Sequence, residues 1–329
     1  MNEPLVSVIV ITYNQERFIG QTLDSILRQK TNFEYEIVIG EDCSNDRTRE
    51  IIERYKDKYK DKIRCIFRQH NLGAARNGDN ILFNRVRGKY LAFCEGDDYW
   101  HGEDKLQKQV DFLEQNPQYV GVASNVNNVN KYGAILRKNA VTGMFEYKET
   151  HVYNLNDALR GEQLGQAAGT VYRNFIKSMS KKEVALYRKC SMNGDIKMCV
   201  TAAMYGDIFY SSEITANYRC IRGGGNNWNS IIKDRNMNGY YYDAFLSLQE
   251  YIYKVYHRQM DIDDKLIGYA YGSFLFFINK PTLQNLKIFC HIMKDGYFSK
   301  TYMLYYFIKE TLRKNIKVQK RRGRNIEKI

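Results

Sequence analysis

Runs of strand-forming residues alternate with helical patterns across the first hundred residues, and this alternation restricts the chain to an α/β fold. Leu5 to Tyr13 (LVSVIVITY) is β-branched and almost continuously apolar, as suits a strand covered on both faces. Phe18, Ile19, Leu23, Ile26 and Leu27 then recur at helical spacing as far as Gln29. A strand from Tyr35 to Gly40, a helix from Thr48 to Tyr59, a strand from Ile63 to Gln69, a helix from Ala74 to Val86 and a strand from Tyr90 to Cys94 continue the series. Such alternation implies βαβ units, a parallel sheet and right-handed crossovers, a Rossmann-like half-molecule. G-x-G-x-x-G is missing after the first strand, where Thr12-Tyr13-Asn14-Gln15 stands instead, so no dinucleotide cofactor is expected.

Further on, a helix is predicted over Lys105 to Asn116 and a strand over Tyr119 to Ser124. Residues 125–170 are Asn-rich and read as a hairpin with ligand-facing loops. Helical patterns resume at Asn174 to Lys189 and Asp195 to Tyr205, followed by a short strand from Ile208 to Ser211 and a loop reaching Trp228. From about Asn238 onward Tyr-rich helical segments dominate. The expected organisation is one α/β domain over residues 1–229 and a helical C-terminal region over 230–329.

Chemistry concentrates where strands stop. The run Gly88 to Cys94 ends at Glu95-Gly96-Asp97-Asp98, and Tyr35 to Gly40 ends at Glu41-Asp42. In an open α/β sheet, ligands bind outside the carboxyl ends of the strands. Carboxylate oxygens there suit a hard divalent cation, Mg²⁺ or Mn²⁺, which is commonly completed by substrate phosphates. Asp also favours turns and helix caps, so Asp97 and Asp98 alone do not decide between the two uses. Glu95 tips the balance, because three acids within four residues repel one another unless something cationic offsets them.

The segment Cys94-Glu95-Gly96-Asp97-Asp98-Tyr99-Trp100 resembles the metal-binding signature of family-2 glycosyltransferases of the GT-A fold. Five further segments resemble that family in order: Thr12-Tyr13-Asn14; Asp42-Cys43-Ser44; Asn71-Leu72-Gly73-Ala74-Ala75-Arg76-Asn77, two residues shorter than the family's pattern; Asn193-Gly194-Asp195; and Tyr218-Arg219-Cys220-Ile221-Arg222 to Trp228. The resemblance covers residues 5 to about 228 and implies transfer of one sugar from a nucleotide-diphosphate donor to a hydroxyl of a glycan or lipid-linked acceptor, with inversion, in cell-surface polysaccharide synthesis. By the same resemblance, Asp98 with Asp97 and Glu95 would hold the metal. Thr12, Tyr13, Asn14, Asp42, Arg76, Asp97 and Arg222 would bind the nucleotide-sugar, and Asp195 would be the general base. On the residues alone, Asp195 reads equally as a helix N-cap, Arg76 as a surface partner of Asp79, and Asp42 as part of a cap cluster. The Q-x-x-R-W pattern of processive synthases is absent.

Charge and cysteine content limit the alternatives. Net charge is +13, and its excess lies late, with 18 basic against 9 acidic residues in 230–329. A nucleic-acid-binding protein would use that charge and the 27 tyrosines. It would not explain acids at strand ends, so no nucleic-acid partner is expected; a catalytically inactive glycan- or nucleotide-sugar-binding relative is the other alternative. Seven cysteines without a C-x-x-C pair, and five scattered histidines, suggest neither disulfides nor zinc. Met1-Asn2-Glu3-Pro4 has no leader-like pattern, and Leu266 to Ile278 is too short and too interrupted to span a bilayer. The expectation is a cytoplasmic protein whose basic tail docks peripherally on the inner face of the cell membrane.

Overall fold

The computed structural model describes residues 3–137, 150–221, 235–311 and 313. Its α/β part opens with β1 (Val6–Thr12), α1 (Ile19–Leu27), β2 (Tyr35–Glu41), α2 (Thr48–Lys58), β3 (Ile63–Phe67), α3 (Ala74–Asn84) and β4 (Tyr90–Phe93). These elements fall within a few residues of the sequence expectation, because each apolar run is bounded by residues that cannot extend it. Next come β5 (Tyr99–Trp100), α4 (Lys105–Gln115), β6 (Tyr119–Val129), β7 (Ile135–Arg137), β8 (His151–Tyr153), α5 (Leu155–Leu159), β9 (Val171–Arg173), α6 (Lys181–Lys189), α7 (Gly194–Ala202) and β10 (Asp207–Arg219).

The strands form one mixed sheet in the order β3-β2-β1-β4-β9-β6-β10-β5, with β7 paired to β6 and β8 to β10. β1 runs parallel to β2 and β4, and β2 to β3. β9 is antiparallel to both β4 and β6, which turns β6, and β10 beside it, back into the direction of β4. The carboxyl ends of β1, β2, β4, β6 and β10 therefore share one edge. Val6, Val8, Val10, Ile37 and Ile39 pack with Ile19, Leu23 and Ile26 of α1, Ile52 of α2 and Leu106, Val110 and Leu113 of α4. Burial on this scale stabilises each such side chain by roughly 1.5–3 kcal/mol.

Three expectations change. The Asn-rich stretch after Ser124 continues β6 to Val129, because its backbone pairs with β10 from Asn125 opposite Ile214 to Val129 opposite Arg219, and Asn127 Nδ2 donates to Asn217 Oδ1 at 3.1 Å. β10 likewise extends to Arg219, with irregular register between Ser211 and Ala216. The single helix expected over 174–189 is split into a 3₁₀ turn at Phe175–Ser178 and α6, whose N-cap Ser180 accepts the Glu183 N–H. The hairpin expected within 125–170 is β6–β7, closed by Asn130, whose N–H donates to Ala134 O at 2.9 Å.

α4 carries a buried lysine. Lys105 is 1% exposed, donates to Gln109 Oε1 at 2.6 Å and lies 4.6 Å from the Trp100 ring centroid. Burial pulls its amine down to about 7. A folded value below the unfolded one means the unfolded chain holds the proton more tightly, so this group lowers stability below the folded value and ceases to do so as pH rises toward about 10.5. Lys105→Met is therefore expected to raise stability at pH 7 by on the order of 2 kcal/mol, and by little at pH 10. Thermal melts at both values check this, and an equal gain at both would exclude the explanation.

The chain divides into two compact units, Met1–Lys233 with Leu248–Asp261, and Asp234–Ser247 with Ile262–Ile329. The division falls inside α8 (Met237–Tyr256). The second unit also contains α9 (Asp263–Asn279), α10 (Leu283–Lys294) and a helix over residues 300–311. In it Phe274 stacks on Phe307 at 5.4 Å and meets Phe289 at 5.4 Å. Among the described residues no helix is long and apolar enough to cross a membrane.

Candidate functional site

The shared strand edge gathers most of the residues singled out in the sequence. Asp42 N–H donates to Thr12 O, continuing the β1–β2 ladder past the strand ends. The two loops that follow are laced together: Asn14 N–H donates to Ser44 Oγ (2.9 Å), Asn45 N–H to Asn14 Oδ1 (2.8 Å), Gln15 N–H to Thr48 Oγ1 (2.8 Å) and Arg47 N–H to Glu16 Oε2 (3.0 Å). Asn14 takes φ 53°, a left-handed conformation that Asn tolerates and that turns the chain back toward Ser44. Thr12 donates to Gln15 Oε1 at 2.7 Å.

Asp42 has a more specific task than the sequence indicates. Its Oδ1 and Oδ2 accept the N–H groups of Leu72 and Gly73 at 2.9 and 2.8 Å, which holds the loop leading into α3 rather than capping α2. Arg76, on the first turn of α3, is exposed. Asp79 is not its partner but faces Lys197, at 3.7 Å.

The turn after β4 is held from below. Thr22 of α1 places its hydroxyl 2.7 Å from Asp98 O and 3.0 Å from Gly96 O. A Cβ on Gly96 would lie 2.6 Å from Thr12 Oγ1 and 2.7 Å from Thr12 Cβ, so any side chain there would force Thr12 at the end of β1 to shift. The Gln15 side chain also faces the Asp97 carboxylate and favours its charged form. Asp98 Oδ1 accepts the backbone N–H of Arg219 at 2.8 Å.

Asp195 approaches from the other side of the chain's order. The N-cap of α7 is Asn193, whose Oδ1 accepts the Ile196 N–H at 3.4 Å. This leaves Asp195, in the first turn, free of the capping role; its carboxylate faces the N–H of Ala167, which favours the charged form. The loop around Ala167 precedes β9, which is antiparallel to β4, so its start lies beside the end of β4. Asp195 is thereby brought to Glu95.

Electrostatics bind these acids into one cluster. Burial pushes the Glu95 carboxyl up, and Asp195 and Asp97 raise it further. Burial likewise raises Asp98 well above the carboxylate range, with Asp97 and Glu95 adding to it, and raises Asp97 and Asp195. Arg219, the cation that acts on Asp97 and Asp98, turns its guanidinium to main-chain oxygens and the Gln21 amide instead of to a carboxylate oxygen. Clustered hard oxygens short of positive charge fit a divalent cation. Among the described residues, no group of three or more His, Cys, Asp or Glu side chains is placed to hold a metal ion unaided. Glu95, Asp97 and Asp98 thus do not form a closed ligand set, and a cation among them needs oxygens from a substrate. Arg222 lies outside the described residues.

Gln15, Thr22 and Arg219 were missed in the sequence. Gln15 and Arg219 stand inside quoted segments, but nothing in one sequence distinguishes a neutral amide, a helix threonine or a strand-end arginine from their surroundings.

The profile of the family described as "Glycosyl transferase family 2" matches residues 7–174, just over half of the chain. "Uncharacterized protein Mb1547" of Mycobacterium bovis is 43% identical over 113 residues, 34% of this chain and 32% of that protein. TuaG of Bacillus subtilis, provisionally named as a teichuronic acid biosynthesis glycosyltransferase, is 40% identical over 111 residues, 34% of this chain and 42% of TuaG. The chain thus spans less than half the length of these relatives. Among solved structures, residues 1–349 of TarS of Staphylococcus aureus in complex with UDP-GlcNAc superimpose with a TM-score of 0.57 at 18% identity, covering 88% of this chain and 80% of that one. That likeness establishes the fold.

Proposed function

We propose, for a chain that belongs to glycosyl transferase family 2, that it transfers one sugar from a nucleotide-diphosphate donor to a hydroxyl of a glycan or lipid-linked acceptor in cell-surface polysaccharide synthesis, with inversion. The observation that carries this reading is the approach of Asp195 to Glu95, in the same turn as Asp97 and Asp98, at the edge where β1 and β2 also end. TarS is in complex with UDP-GlcNAc in that structure, which favours a nucleotide-sugar here too.

In this reading Thr12, Tyr13, Asn14 and Asp42 form the floor for base and ribose, with Arg76 toward the diphosphate; Arg222 is assigned to the diphosphate on the sequence resemblance alone. Asp98 and Asp97, with Glu95, would hold Mg²⁺ or Mn²⁺, which when bound supplies Lewis-acid charge to the leaving diphosphate. Asp195 takes the proton of the acceptor hydroxyl as it attacks the anomeric carbon opposite the leaving group. One displacement then suffices, and no carboxylate nucleophile is needed. A panel of nucleotide-sugars incubated with Mn²⁺, with release of the nucleotide diphosphate as readout, tests the proposal. No release from any donor, or equal release in excess EDTA, would overturn it.

For the acceptor side we infer docking to an anionic membrane surface. On the helix over 300–311, Leu304, Tyr305 and Ile308 are more than half exposed while Met303 and Phe307 are buried. The sequence after Glu310 adds Arg313, Lys314, Lys317, Lys320, Arg321, Arg322, Arg324 and Lys328 against one acid, Glu327. Each basic residue near an anionic bilayer contributes about 1 kcal/mol. Truncation after Glu310 is expected to release the protein from anionic liposomes at low salt, and identical sedimentation of both forms would exclude the tail as an anchor.

A further inference from the structure

We propose that Arg219 is a positioning residue that fixes the acidic turn and the β6–β7 hairpin as one body, so that what the turn binds is presented to the hairpin at a set distance. Its catalytic consequence rests on the glycosyl-transfer reading; the mechanical coupling does not.

Arg219 is the last residue of β10 and is 3% exposed. Its backbone N–H donates to Asp98 Oδ1 (2.8 Å) and its Nε to Asp97 O (2.7 Å), which engages both residues of the turn from one side. Nη1 donates to Asn130 O (3.1 Å) and Lys131 O (3.2 Å), the first residues of the hairpin loop. Nη2 donates to Gln21 Oε1 of α1 at 2.6 Å. The guanidinium carbon lies 4.6 Å from the Phe18 ring centroid and 5.3 Å from that of Tyr99. One planar fork thus joins turn, hairpin and α1.

Two features argue that the charge and shape of Arg219 serve the site as well as the fold. A buried guanidinium is costly to desolvate, and here its side-chain donors go to neutral oxygens, which return less than a carboxylate would. Asp97 and Asp98 keep their remaining carboxylate oxygens clear of it. The cation therefore draws the turn into position without occupying the atoms that would face a ligand. A lysine preserves the charge but has no planar fork to span turn, hairpin and α1 together.

The test uses the full chain, with Arg219→Lys and the milder Gln21→Ala, which removes only the α1 anchor. Amide exchange is followed at Asn130, Tyr132, Gly133 and Ala134, whose N–H groups are bonded within the hairpin. Binding of Mn²⁺ together with UDP is read by electron paramagnetic resonance. Arg219→Lys is expected to speed hairpin exchange at least tenfold and weaken Mn²⁺–UDP binding at least tenfold, with Gln21→Ala changing both in the same direction by less. Should Arg219→Lys not fold, Gln21→Ala alone carries the comparison. Wild-type exchange in the variants refutes the coupling. Faster exchange with unchanged Mn²⁺–UDP affinity also refutes the proposal, since Arg219 would then support only the hairpin. If the wild type binds no Mn²⁺–UDP, the glycosyl-transfer reading fails, and the exchange rates alone decide whether Arg219 couples the two elements.

Discussion

Asp98→Asn is expected to reduce metal-dependent turnover at least a hundredfold, a loss of about 3 kcal/mol of transition-state stabilisation, in a protein that remains folded. Asparagine keeps an amide oxygen that can still accept the Arg219 N–H, so the bond between β10 and the turn survives. The second oxygen becomes an NH₂ group, which cannot ligate a hard cation. Stability should move the other way. Asp98 has a raised carboxyl value through burial, Asp97 and Glu95, so at neutral pH folding must take up a proton or confine a charge. For a carboxyl raised in the folded state, that cost is present above the unfolded value near 4 and vanishes below it. In EDTA the variant should therefore melt above the wild type at pH 7 and level with it near pH 3.5. Full activity in Asp98→Asn, or wild-type activity in excess EDTA, would remove the metal from the mechanism.

Asp195→Asn is expected to cost 10²–10⁴-fold in transfer, the usual worth of a positioned general base, while nucleotide diphosphate and metal bind nearly normally. The substituted side chain keeps an oxygen toward the Ala167 N–H, and Asn193 still caps α7, so the backbone has no reason to move. The wild type carries its own signature. Burial raises the Asp195 carboxyl to about 6, so the proton-accepting form is lost below that pH and the transfer rate should fall about tenfold per unit there. The variant should lack that limb. Transfer near the wild-type rate in Asp195→Asn would place the base elsewhere. A loss of nucleotide affinity as large as the loss of rate would make Asp195 a binding residue.

Much of the α/β part was legible because its strands are uniform. Val6, Val8 and Val10 leave little choice of conformation, and each run ends at residues with strong local preferences: Asn14, Glu41-Asp42, Glu95-Gly96. Hydrophobic period and turn chemistry are local signals, and local signals survive in a single sequence. The Asn-rich end of β6 was not legible for the converse reason. Asn125, Asn127 and Asn128 have poor intrinsic strand preference, and what holds that backbone in the sheet is its pairing with Ile214 to Arg219 of β10, some ninety residues later. The break before α6 depended on whether Ser180 would cap, a choice of a few tenths to about one kcal/mol that propensity alone does not settle.

The sequence by itself determined which acids exist, that they terminate strands, and in what order they come, and order alone was enough for the resemblance to family-2 glycosyltransferases. Tertiary structure decided which acids meet. β9 runs against its neighbours, and that reversal carries the Ala167 loop, and Asp195 with it, to the end of β4. Tertiary structure also assigned the caps: Asn193 for α7, and Asp42 for the loop into α3 instead of for α2. It singled out Arg219 as well, a residue whose neighbours in space lie some ninety, one hundred and twenty and two hundred positions away in the chain. Short-range preference is written into each residue's own chemistry. Electrostatic pairing and hydrogen-bond satisfaction at a buried edge belong to whichever groups the sheet topology brings within about 3 Å, and no single segment of the chain contains that information.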